Sequence, residues 1–192
     1  MEKTPVLPIL PVVNWKGIFE SGRQYPVWLS MGATIEHRDK MEVIRRSLIL
    51  EPQVVTYLDG LPRPVHVVAI AEDWSGDVVR HVPVLQRFAE VAPNLKIHFI
   101  SRGLYPDIFV RYLTNGEEAL PKFIFLNNVW EECGNWGPMP AACMELTARG
   151  KACGDPRTAR KKVRALYEVD TDRRMVQREL LRLIHIASSR EP

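Results

Sequence analysis

The sequence predicts an α/β fold, a central mixed sheet flanked by helices. Three observations predict it. Residues 65–71 (Val-His-Val-Val-Ala-Ile-Ala) form a short β-branched apolar run after Pro62 and Pro64, the pattern of a buried strand. That run breaks at Trp74-Ser75-Gly76 and passes into a helical period at Val78, Val82, Leu85, Phe88 and Ala89. Two more strand patterns follow, an alternating one over 95–101 and an apolar one over 123–126. In an open α/β sheet, chemistry gathers where a strand ends and a helix begins. Residues 72–78 are therefore the candidate functional centre.

The N-terminal third reads as helical. Three prolines predict an extended run over 4–13. Asn14 suits the N-cap of a short helix from Trp15 to Ser21, ended by Gly22. A second short helix covers 24–31 and stops at Gly32. A longer one is expected over 34–50, capped by Thr34, with Ile35, Met41, Ile44, Leu48 and Ile49 near one face. Pro52 starts a fourth helix, with Val54, Val55 and Leu58 on its inner face. These helices are expected to cover a sheet edge and one face of the core. The functional alternative is that Trp28 or Tyr25 borders the site.

The helix after Ser75 continues to about Val91 with Pro83 inside it, and the alternating strand follows. A short helix is expected over 107–113, and Asn115-Gly116 marks a turn. Asn127-Asn128 predicts a hairpin, with 130–135 returning antiparallel. That return should bring Cys133, Asn135 and Trp136 back toward Pro121. Pro140 opens a helix to about Arg149, and two more helices cover 157–169 and 171–187. The expected organisation is one compact domain: a helical extension over 1–60 packed on the core, the core itself over 61–149, and basic helices over 150–192.

Composition narrows the class. The 192 residues are 46% hydrophobic and 26% charged, which argues against a disordered chain. No apolar stretch reaches the ~18 residues of a membrane span. The N-terminus lacks the pattern of a secretory signal, so a cytoplasmic location is expected and a membrane partner is not. Residues 149–192 carry twelve Lys/Arg against six Asp/Glu, whereas residues 1–148 carry fourteen against seventeen. The basic segment is read chiefly as the solvated face of helices. Its arginines and lysines show no nucleic-acid motif, so a nucleic-acid partner is not expected. Cys133, Cys143 and Cys153 are spaced ten and ten, which fits neither a zinc site nor a disulfide framework. No cofactor or metal is expected, and oligomeric state is left open.

Two motifs carry a family resemblance. Trp74-Ser75-Gly76-Asp77-Val78 stands at a strand-to-helix turn, and Ala119-Leu120-Pro121-Lys122-Phe123-Ile124-Phe125-Leu126 stands before and within a later strand. Together they resemble the thioredoxin superfamily, most nearly the bacterial thioredoxin-like branch whose turn reads Trp-Cys-Gly-Asp-Cys. The resemblance covers about 60–140 and implies a thioredoxin-like fold with a cis-proline loop at Pro121. Pro83 adds a weaker likeness. Both redox cysteines are absent: Ser75 and Val78 occupy their positions, so the CxxC is degenerate.

The chemistry follows from that loss. A cysteine at a helix N-terminus is activated as thiolate, and a second cysteine resolves the mixed disulfide. Ser75 undertakes neither step. As a hydrolase nucleophile it lacks a base, because His81 lies six residues on, about 9 Å along the helix. Ser75 suits the helix N-cap instead, and Asp77 in the first turn is favoured by the helix dipole. Glu72 and Asp73 are read as exposed loop carboxylates. A cis proline would leave the Leu120 backbone free to pair with an extended peptide. The expected binding residues are Trp74, Gly76, Asp77, Leu120, Pro121 and Trp136, with Ser75 and Val78 as vestigial redox positions and no catalytic residue. The preferred reading is a redox-inactive binding or scaffold module with an extended peptide or protein partner at the cis-proline groove. The alternative is a monothiol relative of the thiol–disulfide oxidoreductases, with Ser75 in place of the nucleophile or Cys133 as a displaced one.

Overall fold

The computed structural model describes residues 12–32 and 34–190; most of the extended run expected over 4–13 lies outside them. The chain begins with four helices: α1 (Trp15–Ser21), α2 (Tyr25–Met31), α3 (Ile35–Ser47) and α4 (Pro52–Asp59). Asn14 caps α1, its side chain accepting the Gly17 N–H at 3.0 Å. Thr34 precedes α3, but its hydroxyl makes no capping bond. Its backbone N–H donates to Asp73 Oδ2 at 2.8 Å, which ties α3 to the central turn. Helix α3 also ends earlier than expected. Met41 is fully buried, whereas Ile35 and Ile49 are 64% and 83% exposed, so the inner face is narrower than the periodicity implied.

Strand β1 (Val65–Ile70) leads into α5 (Gly76–Val91), and β2 (Leu95–Ile100) follows, parallel to β1. Pro83 sits inside α5, which runs on through it. A short helix α6 (Pro106–Phe109) and a 3₁₀ turn precede β3 (Lys122–Leu126) and β4 (Glu132–Trp136). The sheet order is β2-β1-β3-β4, with β3 antiparallel to both its neighbours. The sheet is mixed because β1-α5-β2 is a crossover and β3-β4 is a hairpin. Every residue of β3 is buried, as a central strand covered on both faces requires.

Helix α1 covers the face that carries His66 and His98. Phe19 stacks on His98 with centroids 4.0 Å apart and meets His66 edge-on at 5.2 Å. The opposite face carries Phe123 and Trp136, stacked at 5.4 Å, and meets α5 through His81 at 5.2 Å.

The chain ends in α7 (Ala141–Ala152), α8 (Pro156–Val169) and α9 (Arg174–Ser188). Helices α7 and α8 approach closely at Gly150, where a Cβ would fall 2.3 Å from the Ala159 Cβ. Helix α9 was expected to dock through Met175, Leu180, Leu183, Ile184 and Ala187; it docks on the sheet with Val176, Leu180, Ile184 and Ala187 buried and Met175 and Leu183 only half-buried. A single buried apolar cluster runs from Trp15 to Ala187. Among the described residues no helix is long and apolar enough to cross a membrane.

Candidate functional site

The turn between β1 and α5 stands at one end of the sheet. Ser75 is the N-cap of α5, and its hydroxyl oxygen accepts a long bond from the Val78 N–H at 3.5 Å. The same hydroxyl donates to the Leu120 carbonyl oxygen at 3.4 Å, joining the two motifs that the sequence singled out. The Leu120–Pro121 peptide is cis, as is Gly137–Pro138. Val78 is fully buried and faces the core.

A cavity of about 380 Å³ opens beside this turn. Trp74, Ser75, Asp77, Leu120, Met139 and Met144 line it, and Arg102, Lys151 and Arg160 supply cations. Trp74 is 57% exposed, with the Arg102 guanidinium 5.6 Å from its ring centroid. Arg102 pairs with Glu118, and Lys151 pairs with Glu117 at 2.8 Å, so most of the local charge is internally balanced. Among the described residues, no hydrogen bond engages the backbone N–H of Ala119 or Leu120.

Of the residues expected to form a groove, Trp74, Asp77 and Leu120 line this cavity, and Gly76, Pro121 and Trp136 do not. Pro121 and Trp136 are buried. The Trp136 indole N–H donates to Glu179 Oε2 at 2.6 Å, and Glu179 Oε1 accepts the Ala141 N–H at 3.0 Å. Glu179, on α9, thus holds the end of β4 and the start of α7 together, and no sequence signal marked it. Gly76 lines a different cavity, between α3 and α5.

Asp77 departs from the dipole argument. Burial pushes its carboxyl up to about 6, and the neighbouring Arg80 only partly opposes this. Desolvation outweighs the favourable helix terminus. Glu72 and Asp73 are half-buried fasteners rather than exposed loop carboxylates. Glu72 Oε1 accepts the Arg102 N–H at 3.0 Å, and the Asp73 carbonyl accepts from the His37 ring at 2.7 Å.

Lys122, next to Pro121, is a buried polar group that sequence reasoning missed. It is 4% exposed, and its Nζ donates to Thr114 Oγ1 and the Gly137 carbonyl, both at 2.7 Å. Burial lowers its ammonium to about 8. The Phe-Ile-Phe-Leu run after it was the only available hint, since a strand buried on both faces must bury its first residue too.

The sulfurs lie elsewhere. The register pairs Phe123 with Trp136 and Leu126 with Glu132. Trp136 is therefore at the Pro121 end and Cys133 near the Asn127 end, about 10 Å away at a strand's rise per residue. That corrects the expectation that Cys133 returns to the site. Burial also pushes the Cys133 thiol up, away from the reactive thiolate. Cys143 is buried on α7 with its thiol pushed up as well, and Cys153 is exposed at the end of that helix. Ser75 has no base. His81 is 1% exposed, with Nε2 3.3 Å from the Tyr167 hydroxyl, and burial holds it well below the usual imidazole range.

Comparison with known proteins agrees with this fold. A family model described as Thioredoxin (Thioredoxin_9) matches residues 30–154. The chain belongs to the thioredoxin family. This thioredoxin-family chain has no match among curated proteins. Among solved structures it is similar to a protein of unknown function from Pseudomonas aeruginosa, with a TM-score of 0.68 and 16% identity over 91% of this chain and 97% of that one. It is also similar to an HIV epitope-scaffold, with a TM-score of 0.63 and 18% identity over 81% of this chain and 98% of that one. At these identities the likeness is one of fold. The family match spans both the Ser75 turn and the Leu120-Pro121 loop.

Proposed function

We propose that this thioredoxin-family chain is a binding module that has given up dithiol chemistry and holds an extended peptide at the Ser75–Leu120 cavity. One observation carries the reading: the backbone edge at Ala119–Leu120 lines the cavity with its N–H groups unbonded among the described residues. A peptide laid there as an added strand would satisfy those donors. Trp74, Met139 and Met144 would then take its apolar side chains. The redox step has no sulfur to run on. Ser75 and Val78 occupy the two positions, and the hydroxyl of Ser75 is committed to Leu120 and to its own helix.

The test compares the native chain with Ser75→Cys and Trp74→Ala. The native chain should not reduce insulin disulfides, whereas Ser75→Cys should trap a mixed disulfide with a cysteine-containing peptide. The native chain should also retain members of a random peptide library, and Trp74→Ala should retain fewer. Disulfide reduction by the native chain would return the assignment to the thiol–disulfide oxidoreductases. Failure to retain any peptide would remove the binding role.

A further inference from the structure

A second cavity, of about 570 Å³, lies between α3 and α5, away from Leu120. Arg80 and Arg173 both line it. Each is half-buried, and neither guanidinium has an ion pair or hydrogen bond among the described residues. Arg80 lies over the Tyr167 ring, 4.2 Å from its centroid. Arg173 stands in the left-handed region at φ 56, an uncommon conformation for a residue with a side chain.

Among the described residues no nearby acid makes an ion pair or hydrogen bond with either guanidinium, although the Asp77 charge acts on Arg80 and the Asp170 charge on Arg173. Asp170 gives its two carboxylate oxygens to the Arg174 and Met175 N–H groups, at 2.8 and 3.1 Å. Burial raises the Asp77 carboxyl to about 6, and it makes no ion pair with Arg80 among the described residues. In the same cavity, Glu36 is held by Lys40 at 2.6 Å, and Asp39 is exposed. Burial, and then the Arg80 charge, hold Arg173 below the ordinary arginine range, with the Asp170 charge opposing them. Two like charges in a half-buried cavity repel each other, and an oxyanion between them reverses the sign of that interaction. Planar guanidinium forks match the oxygens of a phosphate. The rest of the wall is apolar, with Val43, Ile44 and Val79 beside the arginines.

We propose that the α3–α5 cavity is an oxyanion site that binds a phosphate group through Arg80 and Arg173. The group belongs either to free phosphate or to a small organic phosphate whose carbon part rests on Val43, Ile44 and Val79. The site is independent of the Ser75 cavity.

The experiment is isothermal titration calorimetry on the full chain with inorganic phosphate and with n-butyl phosphate, ionic strength being matched with sodium chloride. Two variants are tested beside the native chain. Arg173→Gly suits the left-handed backbone, and Arg80→Met keeps an aliphatic stem over Tyr167. The native chain should bind at least one probe saturably, and each variant should weaken it about tenfold, the usual size of a lost charge-assisted bond. Tighter binding of n-butyl phosphate assigns the site to an organic phosphate, and equal or tighter binding of phosphate assigns it to the free anion. No saturable binding of either probe, or native affinity in both variants, overturns the proposal. Should one variant fail to fold, the other decides.

Discussion

Gly137 lies so close to Pro121 that a Cβ on the glycine would fall 2.0 Å from the Pro121 carbonyl oxygen. Its φ is +116, a conformation that only glycine adopts without strain. The contact brings the loop after β4 against the start of β3, where the Gly137 carbonyl accepts from Lys122. Gly137→Ala should cost about 3 kcal/mol or more, since strain and a backbone clash act together. Urea unfolding of the two proteins measures it. A loss below 1 kcal/mol would mean that the loop relaxes away from Pro121.

Glu179 is the second fastening point. Its two oxygens accept the Trp136 indole N–H and the Ala141 N–H. Glu179→Ala leaves both donors unpaired and should destabilise the chain by about 2–4 kcal/mol. Glu179→Gln keeps one acceptor and should lose roughly half as much. Equal losses in the two variants would show that only the charge matters.

Asp77 makes stability depend on pH in a defined direction. Its carboxyl stands at about 6 in the folded chain against an ordinary 3.8. Between those values the folded state keeps a proton that the unfolded state releases, so stability falls as pH rises from about 4 to 6. Above about pH 7 the loss is complete and constant. Asp77→Asn should therefore be more stable than the native chain at pH 7, by about 1 kcal/mol once solvent screening is allowed for. Below pH 4 the two should match. Denaturation midpoints at pH 3.5 and 7 provide the check, and an equal gain at both would assign the effect to packing.

Lys122 produces a slope of the opposite sign at higher pH. Burial holds its ammonium at about 8, against an ordinary 10.5. Between these values the unfolded chain binds the proton and the folded chain has released it, so stability rises with pH across that window. The native chain should gain stability from pH 8 to 9.5 relative to Lys122→Met, in which the group is absent. The comparison between the two proteins removes the shared contribution of the tyrosines. Parallel pH profiles would show that the Lys122 ammonium stays charged in the fold.

The order of the elements was legible because it rests on local signals. Asn14, Gly22, Gly32 and Pro52 mark helix ends through their own backbone chemistry. Val65–Ile70 and Phe123–Leu126 read as buried strands from composition alone. The two motifs at the site were legible for the same reason, whereas the Ser75–Leu120 contact that joins them came from the tertiary structure. The ends of α3 were less so, because a mean apolar face does not say where the neighbouring helix stops covering it. Ile35 stands in solvent on α3, and Ile49 lies exposed beyond its end.

What the sequence by itself determined is the alternation of elements, the start of α5 at Ser75 and the absence of sulfur at 75 and 78. Each of these is a property of neighbouring residues. Only the tertiary structure decided which side chains meet. The β4 register sent Cys133 to the far end of its strand, and burial turned Lys122 and Asp77 into groups with displaced proton affinities. It also brought Arg80 and Arg173, more than ninety positions apart, into one cavity. The reason is physical: periodicity and turn chemistry act over a few residues, whereas register, desolvation and charge proximity depend on contacts between segments distant along the chain.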